Sequence, residues 1–291
     1  MTTESINPQT QDLDLLATAD LVRVIAQDQE NAVAAVLAVQ VEIARAVDLA
    51  TERLAQGGRL LYAGAGTSGR LAYLDSSELA PTFGWSPARA RVAMAGGTEA
   101  VFKAIEGAED DFAAGKADAM ALSPHAHDVL IGIAASGSTP YVLGALEAAK
   151  AVGALRIGLS NNPNTAVLHN ADVPILLETG AEVISGSTRL KAGTAQKIAL
   201  NTLSSSIMVR LNKVYGNLMV DLQATNIKLV ARAVRLTCLA TNANEADAKI
   251  ALEHCGWHVK TAIVMLKKSL DSTAAQNLLE SVQGSVRRAL V

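Results

Sequence analysis

The stretch Leu60-Leu61-Tyr62-Ala63, followed at once by Gly64-Ala65-Gly66-Thr67-Ser68-Gly69-Arg70, decides the fold. A short apolar run that ends in glycines and passes into hydroxyl residues reads as a buried strand, a tight loop and a helix start. The unit recurs downstream. Apolar runs at residues 91–95, 129–134, 154–159 and 173–177 read as further strands, separated by stretches of helical spacing. Strands that are apolar on both faces and alternate with helices build a parallel sheet covered on both sides. The predicted class is therefore α/β, a three-layer sandwich around a five-stranded parallel sheet.

The loops at the strand ends carry the chemistry. Gly96-Gly97-Thr98 comes after the second strand, Ser136-Gly137-Ser138-Thr139 after the third and Ser160-Asn161-Asn162 after the fourth, while the fifth leads to Ser185-Gly186-Ser187-Thr188. Ligands of open α/β sheets bind beyond the carboxyl ends of the strands, so this rim is lined with glycine and hydroxyl groups. Gly64 to Gly69 fits the G-x-G-x-x-G pattern, but the second strand ends in Ala95-Gly96-Gly97 and lacks the acidic residue that holds a dinucleotide ribose. No G-x-x-x-x-G-K-[ST] run occurs either. Gly66, Thr67 and Ser68 open a helix, where backbone N–H groups and the helix dipole favour a phosphate. Ser136, Ser138 and Thr139 supply a second such loop on the same rim. One loop of this kind reads as an ordinary capped turn; two on one rim read as a phosphate site.

The flanks are helical. Residues 30–56 carry Val33, Val36, Leu37, Ile43, Val47 and Leu54 at helical spacing until Gly57-Gly58 stops them. From about Thr225 onward Gly256 and Trp257 separate further helices. The predicted division is N-terminal helices over 1–56, a phosphate-binding α/β domain over 57–222 and a small helical domain over 223–291.

Composition excludes other classes. The chain has 291 residues, is 50% hydrophobic and carries a net charge of −3, so nothing steers it to nucleic acid or anionic lipid. Aromatic residues are 3%, leaving few platforms for stacking bases. The start, Met1-Thr2-Thr3-Glu4-Ser5, lacks a signal-peptide core, and the longest uncharged run is interrupted by Ser136 to Pro140, unlike a membrane span. Cys238 and Cys255 fit neither a metal pattern nor a disulfide framework. The expectation is a cytoplasmic protein without nucleic-acid or membrane partners. His125, His127 and Asp128 form an H-x-H-D cluster, read as a surface loop at the amino-terminal edge of the sheet and not as a metal site.

Residues 61–71 with Leu74-Asp75-Ser76-Ser77-Glu78, Glu106-Gly107-Ala108-Glu109-Asp110 and residues 132–137 resemble the N-acetylmuramic acid 6-phosphate etherases, a family of the sugar isomerase (SIS) fold. Residues 180–197, from Gly180-Ala181-Glu182 through Thr194-Ala195-Gln196-Lys197, match a signature those etherases share with the glucokinase regulatory protein. The resemblance runs over nearly the whole chain. One departure stands out: family members commonly read Ser-Gly-Arg-Thr-Pro where this chain has Ser136-Gly137-Ser138-Thr139-Pro140.

The resemblance implies an SIS-type sandwich with a C-terminal helical unit of ubiquitin-associated type, a phosphorylated amino sugar as ligand, a homodimer or higher homo-oligomer, and no metal or organic cofactor. It implies cleavage of the D-lactyl ether of N-acetylmuramic acid 6-phosphate, giving N-acetylglucosamine 6-phosphate and D-lactate. Ring opening makes the C2 proton acidic, and elimination followed by hydration then needs a base at C2 and an acid at the leaving oxygen. Carried over to this chain, those two roles fall on Glu78 and Glu109, with Glu78 as the donor. Without the resemblance both carboxylates read as solvated faces. Glu182, Ser187, Arg189 and Lys191 join Gly66, Thr67, Ser68, Ser136, Ser138 and Thr139 as expected substrate and phosphate contacts. Two other functions stay open at this point: a non-catalytic sugar-phosphate-sensing regulatory protein, and an aldose–ketose isomerase of the same fold.

Overall fold

A computed structural model describes residues 1–224 and 226–291; Thr225, where the sequence pattern places the start of the C-terminal helical segment, lies outside the described residues. The chain divides into two compact units. The first comprises Met1–Ser76 and Ala88–Ser205, the second Ser77–Pro87 and Ser206–Val291. The N-terminal helices therefore share a unit with the sheet.

In the first unit α1 (Thr18–Asp28), α2 (Glu30–Ala38) and α3 (Gln40–Ala55) precede β1 (Leu60–Gly64) and α4 (Gly66–Phe83). Then come β2 (Ala90–Met94), α5 (Phe112–Ala121), β3 (Val129–Ala134) and α6 (Pro140–Ala151). The series ends with β4 (Leu155–Ser160), α7 (Ala166–His169), β5 (Val173–Leu176) and α8 (Lys191–Arg210), of which the last, like α4, continues into the second unit. The sheet is five-stranded and parallel, in the order β2-β1-β3-β4-β5.

Every residue of β1 and β3 is buried, because helices cover both sides. Leu61, Ala63, Leu130 and Ala134 face α5 and α6 and share a core with Tyr141, Val142 and Leu146. Tyr62, pointing the other way by strand alternation, meets Asp75 of α4. Sheet order matters for function. From β1 the chain goes outward to β2 and returns across to β3, so the β1–β3 boundary is a switch point at which the loops part and leave a crevice.

The structure differs from the sequence reading in the segment before the sheet. The spacing over residues 30–56 is helical throughout and marks no break; Val39, at φ −114° and ψ 25°, divides the run into α2 and α3. The break lets α3 bury Ile43, Val47 and Leu54 while Val33, Leu37 and Val41 stay exposed. A periodic pattern registers the apolar positions on both sides of such a break but not the change of direction.

The second unit contains α9 (Ile227–Thr241), α10 (Glu245–His254), α11 (Val259–Lys268), α12 (Ser272–Ser281) and α13 (Val286–Ala289) around Leu236, Leu252, Ile263, Val264 and Leu279. The starts of α9, α10, α12 and α13 are set by local chemistry. Asn226, Asn244, Asp271 and Ser285 each accept a backbone N–H three residues on, satisfying donors that a helix N-terminus leaves unpaired. Asn242 and Ser269 stop α9 and α11 in the left-handed conformation. Among the described residues no helix is long and apolar enough to cross a membrane.

Candidate functional site

The crevice at the β1–β3 switch point is a cleft of about 410 Å³. Its floor is the end of β3, Ile133 and Ala134, and its walls are two helix starts. Gly66, Thr67 and Ser68 bring the first turn of α4; Ser136, Ser138, Thr139 and Pro140 bring the start of α6. Two helix N-termini therefore converge on one space, each presenting unpaired N–H groups and the positive end of its dipole. Proline at the head of α6 is suited to that position, since it removes a donor the helix could not use.

The two loops are held differently. Ser68 is buried and donates to Gln196 Oε1 at 2.8 Å; Gln196 Nε2 donates to Asn161 Oδ1 at 2.9 Å, and Asn161 Nδ2 to the Leu177 carbonyl at 2.9 Å. This relay ties α4 to α8 and to the end of β4. In the second loop Ser136 Oγ and Thr139 Oγ1 lie 3.3 Å apart, and the Ser138 N–H reaches Ser136 Oγ at 3.3 Å. Gly137 sits at φ +70°, and a Cβ there would come within 2.3 Å of Ser160 Oγ and Thr165 Oγ1. Only glycine fits both the left-handed backbone and the space.

Acidic groups complete the cleft. Glu109 and Asp110 reach it from a short 3-10 turn, Ala108–Asp110, just before α5. Their neighbour Asp111 is committed elsewhere, accepting the Ala114 N–H at 2.8 Å as the cap of α5. Glu4 enters from the N-terminal segment, and Gly186 and Thr188 from the loop after β5. Among the described residues lining the cleft there is no Lys or Arg.

Of the residues expected at the site, the structure thus brings together Gly66, Thr67, Ser68, Glu109, Ser136, Ser138 and Thr139. Glu78 lies in the second unit, exposed, in the fourth turn of α4. Ser187 and exposed Arg189 are not in the cleft lining. Glu182 and Lys191 are engaged away from it. Glu182 is fully buried and accepts the N–H groups of Lys191 at 3.1 Å and Ala192 at 2.9 Å, so it caps α8. Burial raises its pKa against the pull of those two bonds and of nearby Lys191. The Lys191 ammonium meets Asp28 of α1 at 2.7 Å in an almost dry setting. Conversely, the sequence reading gives no contact role to Glu4 or Asp110, and it sets Thr188 on the hydroxyl-lined rim without assigning it one. No local signal marks Glu4, which stands some sixty positions before the first loop.

The H-x-H-D cluster has a structural use at the opposite edge of the sheet. Asp128 is buried and takes the Arg59 guanidinium at 2.6 Å, the Arg59 N–H at 2.8 Å and the His125 N–H at 3.1 Å. Burial opposes its ionisation, but these donors prevail and hold its carboxyl below the usual range.

Residues 42–150 match the glucokinase regulatory protein N-terminal SIS domain. Among solved structures, a sugar-phosphate isomerase candidate from Listeria monocytogenes superimposes with a TM-score of 0.51 at 19% identity, over 72% of this chain and 94% of that one. At that identity the likeness speaks to the fold alone. The N-acetylmuramic acid 6-phosphate etherase of Deinococcus radiodurans is 55% identical over 99% of this chain and 94% of its own length. N-acetylmuramic acid 6-phosphate etherase 2 of Vibrio parahaemolyticus is 47% identical over 100% and 97%. Similarity at that level runs from end to end of both proteins, so the chain belongs to the N-acetylmuramic acid 6-phosphate etherase family.

Proposed function

We propose that this chain is an etherase that cleaves the D-lactyl ether of N-acetylmuramic acid 6-phosphate, releasing D-lactate and N-acetylglucosamine 6-phosphate. The observation that carries the reading is the convergence of two helix starts and two hydroxyl loops on one cleft with Glu109 at its edge. That combination suits a phosphoryl group gripped beside a proton-transfer residue. The phosphoryl oxygens take N–H groups from the first turns of α4 and α6, together with hydroxyls of Thr67, Ser136, Ser138 and Thr139.

The reaction is an elimination and hydration, which makes the enzyme a carbon–oxygen lyase. A carboxylate removes the C2 proton of the ring-opened aldehyde, the C3–O bond breaks, and the departing lactyl oxygen takes a proton. Water then adds at C3 and a proton returns to C2. Glu109, at the cleft, takes one of these roles; Glu78, which lies outside this chain's cleft lining, is the expected donor to the leaving oxygen. Glu182 and Lys191 act indirectly, by fixing the start of α8. The exposed apolar stripe of Val33, Leu37 and Val41 supports self-association as a homodimer or larger homo-oligomer.

Incubation with N-acetylmuramic acid 6-phosphate, followed by an enzymatic D-lactate assay, tests the activity. In D2O the product sugar is expected to carry deuterium at C2. Absence of lactate refutes the etherase reading, and lactate without C2 exchange refutes the elimination.

A further inference from the structure

The cleft presents the carboxylates of Glu4, Glu109 and Asp110 and, among the described residues lining it, no cationic side chain. Glu109 has a place in the proposed chemistry; Glu4 does not. Yet Glu4 is held at the cleft by a built device. Its neighbour Thr3 is fully buried, clamped by Asn162 at the end of β4. Asn162 Oδ1 accepts the Thr2 hydroxyl at 3.0 Å and the Thr3 N–H at 3.2 Å, while its Nδ2 donates to Thr3 Oγ1 at 2.9 Å and to the Ala135 carbonyl at 2.8 Å. Both acceptor sites and both donor hydrogens of the amide are used, across some 160 positions of sequence. Farther along, Thr10 donates to the Val183 carbonyl at 3.0 Å. The N-terminal segment is thus pinned at two points, and Glu4 lies between them.

Its surroundings are cut to admit the carboxylate. A Cβ on Gly186 would stand 3.0 Å from Glu4 Oε2. The Ala135 carbonyl that Asn162 grips adjoins Ser136 of the phosphate loop, so one amide sets the position of both the strap and the loop.

From this geometry, and resting on the phosphosugar reading above, we propose that Glu4 is a substrate-contact residue that accepts hydrogen bonds from hydroxyl or amide N–H groups of the sugar. A carboxylate is an acceptor only. It repels the phosphoryl group that the helix starts attract, and so it fixes which end of the ligand enters each half of the cleft. Asn162 is its positioning residue.

The test uses the full-length chain, with N-acetylglucosamine 6-phosphate and inorganic phosphate as calorimetric probes and D-lactate release for kinetics. Glu4→Gln is expected to weaken the sugar phosphate roughly tenfold or more, as for loss of a hydrogen bond to a charged group. Inorganic phosphate, which offers no sugar hydroxyls, is expected to bind as well or better. KM rises with kcat largely kept, and Asn162→Ala, which releases the strap and the phosphate loop together, raises KM at least as much. Glu4 is exposed, so its variant reports even where Asn162→Ala folds poorly. Unchanged sugar-phosphate affinity in Glu4→Gln, or an equal loss for both probes, overturns the proposal. Wild-type protein that binds the sugar phosphate through Glu4 but releases no lactate upholds this contact and refutes the etherase reading. Binding of neither probe overturns both.

Discussion

Tyr62 of β1 donates its hydroxyl to Asp75 of α4 at 2.9 Å, inside the core beneath the first phosphate loop. Ser204 of α8 donates to the other carboxyl oxygen at 2.9 Å. Burial is the largest influence on Asp75 and outweighs these bonds and the field of Lys197, raising its pKa from 3.8 to about 6. The folded chain therefore keeps this proton at pH values where the unfolded chain has lost it. Stability falls as pH rises from about 4 to about 6 and levels off above, by about 3 kcal/mol from this group. Asp75→Asn removes that slope. Denaturant unfolding of both proteins at several pH values between 4 and 7 checks it, and parallel curves count against the assignment.

Glu182→Gln separates a capping role from a substrate-binding one. The buried carboxylate accepts two N–H groups at the start of α8, and an amide in its place sets an N–H2 group against one of them. Unfolding free energy is expected to drop by about 1–3 kcal/mol. KM for lactate release should move less than twofold in the fraction that remains folded. A large rise in KM with stability intact would make Glu182 a direct substrate contact.

Ser138→Arg supplies the cation that the cleft lining lacks. A guanidinium at the start of α6 adds a charge-assisted bond to the phosphoryl group. Inorganic phosphate is expected to bind about threefold to tenfold more tightly at low salt, with the gain shrinking as ionic strength rises because Ser138 is exposed. Calorimetry at two salt concentrations reads both effects.

Glu78→Gln and Glu109→Gln should each lower kcat for lactate release by about 10² to 10⁴, the usual span for loss of a general acid or base. Both positions are exposed, so thermal unfolding is expected to stay unchanged. The two differ in C2 exchange. The variant lacking the base loses exchange of the C2 proton in D2O, whereas the variant lacking only the donor to oxygen keeps it. Near-native turnover in either variant removes that residue from the mechanism.

Parts of this molecule could be read without coordinates because their causes are local. Strands β1 and β3 are apolar at every position, as burial on both faces demands, and the runs expected at 60–63 and 129–134 correspond to Leu60–Gly64 and Val129–Ala134. Gly66 to Ser68 and Ser136 to Thr139 announce helix starts through their own residue types. The break at Val39 is hidden, because both halves keep helical spacing.

The long-range roles of side chains were decided only by tertiary structure. Glu4 and Glu109 share a cleft because β1 pairs with β3 and Asn162 holds the N-terminus, contacts between residues far apart in the chain. Glu182 and Lys191 look like ligand groups beside a hydroxyl loop, yet the fold buries one under α8 and pairs the other with Asp28. Residue type and spacing fix which local structure is cheapest to form. Whether a charge faces ligand or neighbour depends on which distant backbone desolvates it, and that is set when the layers close.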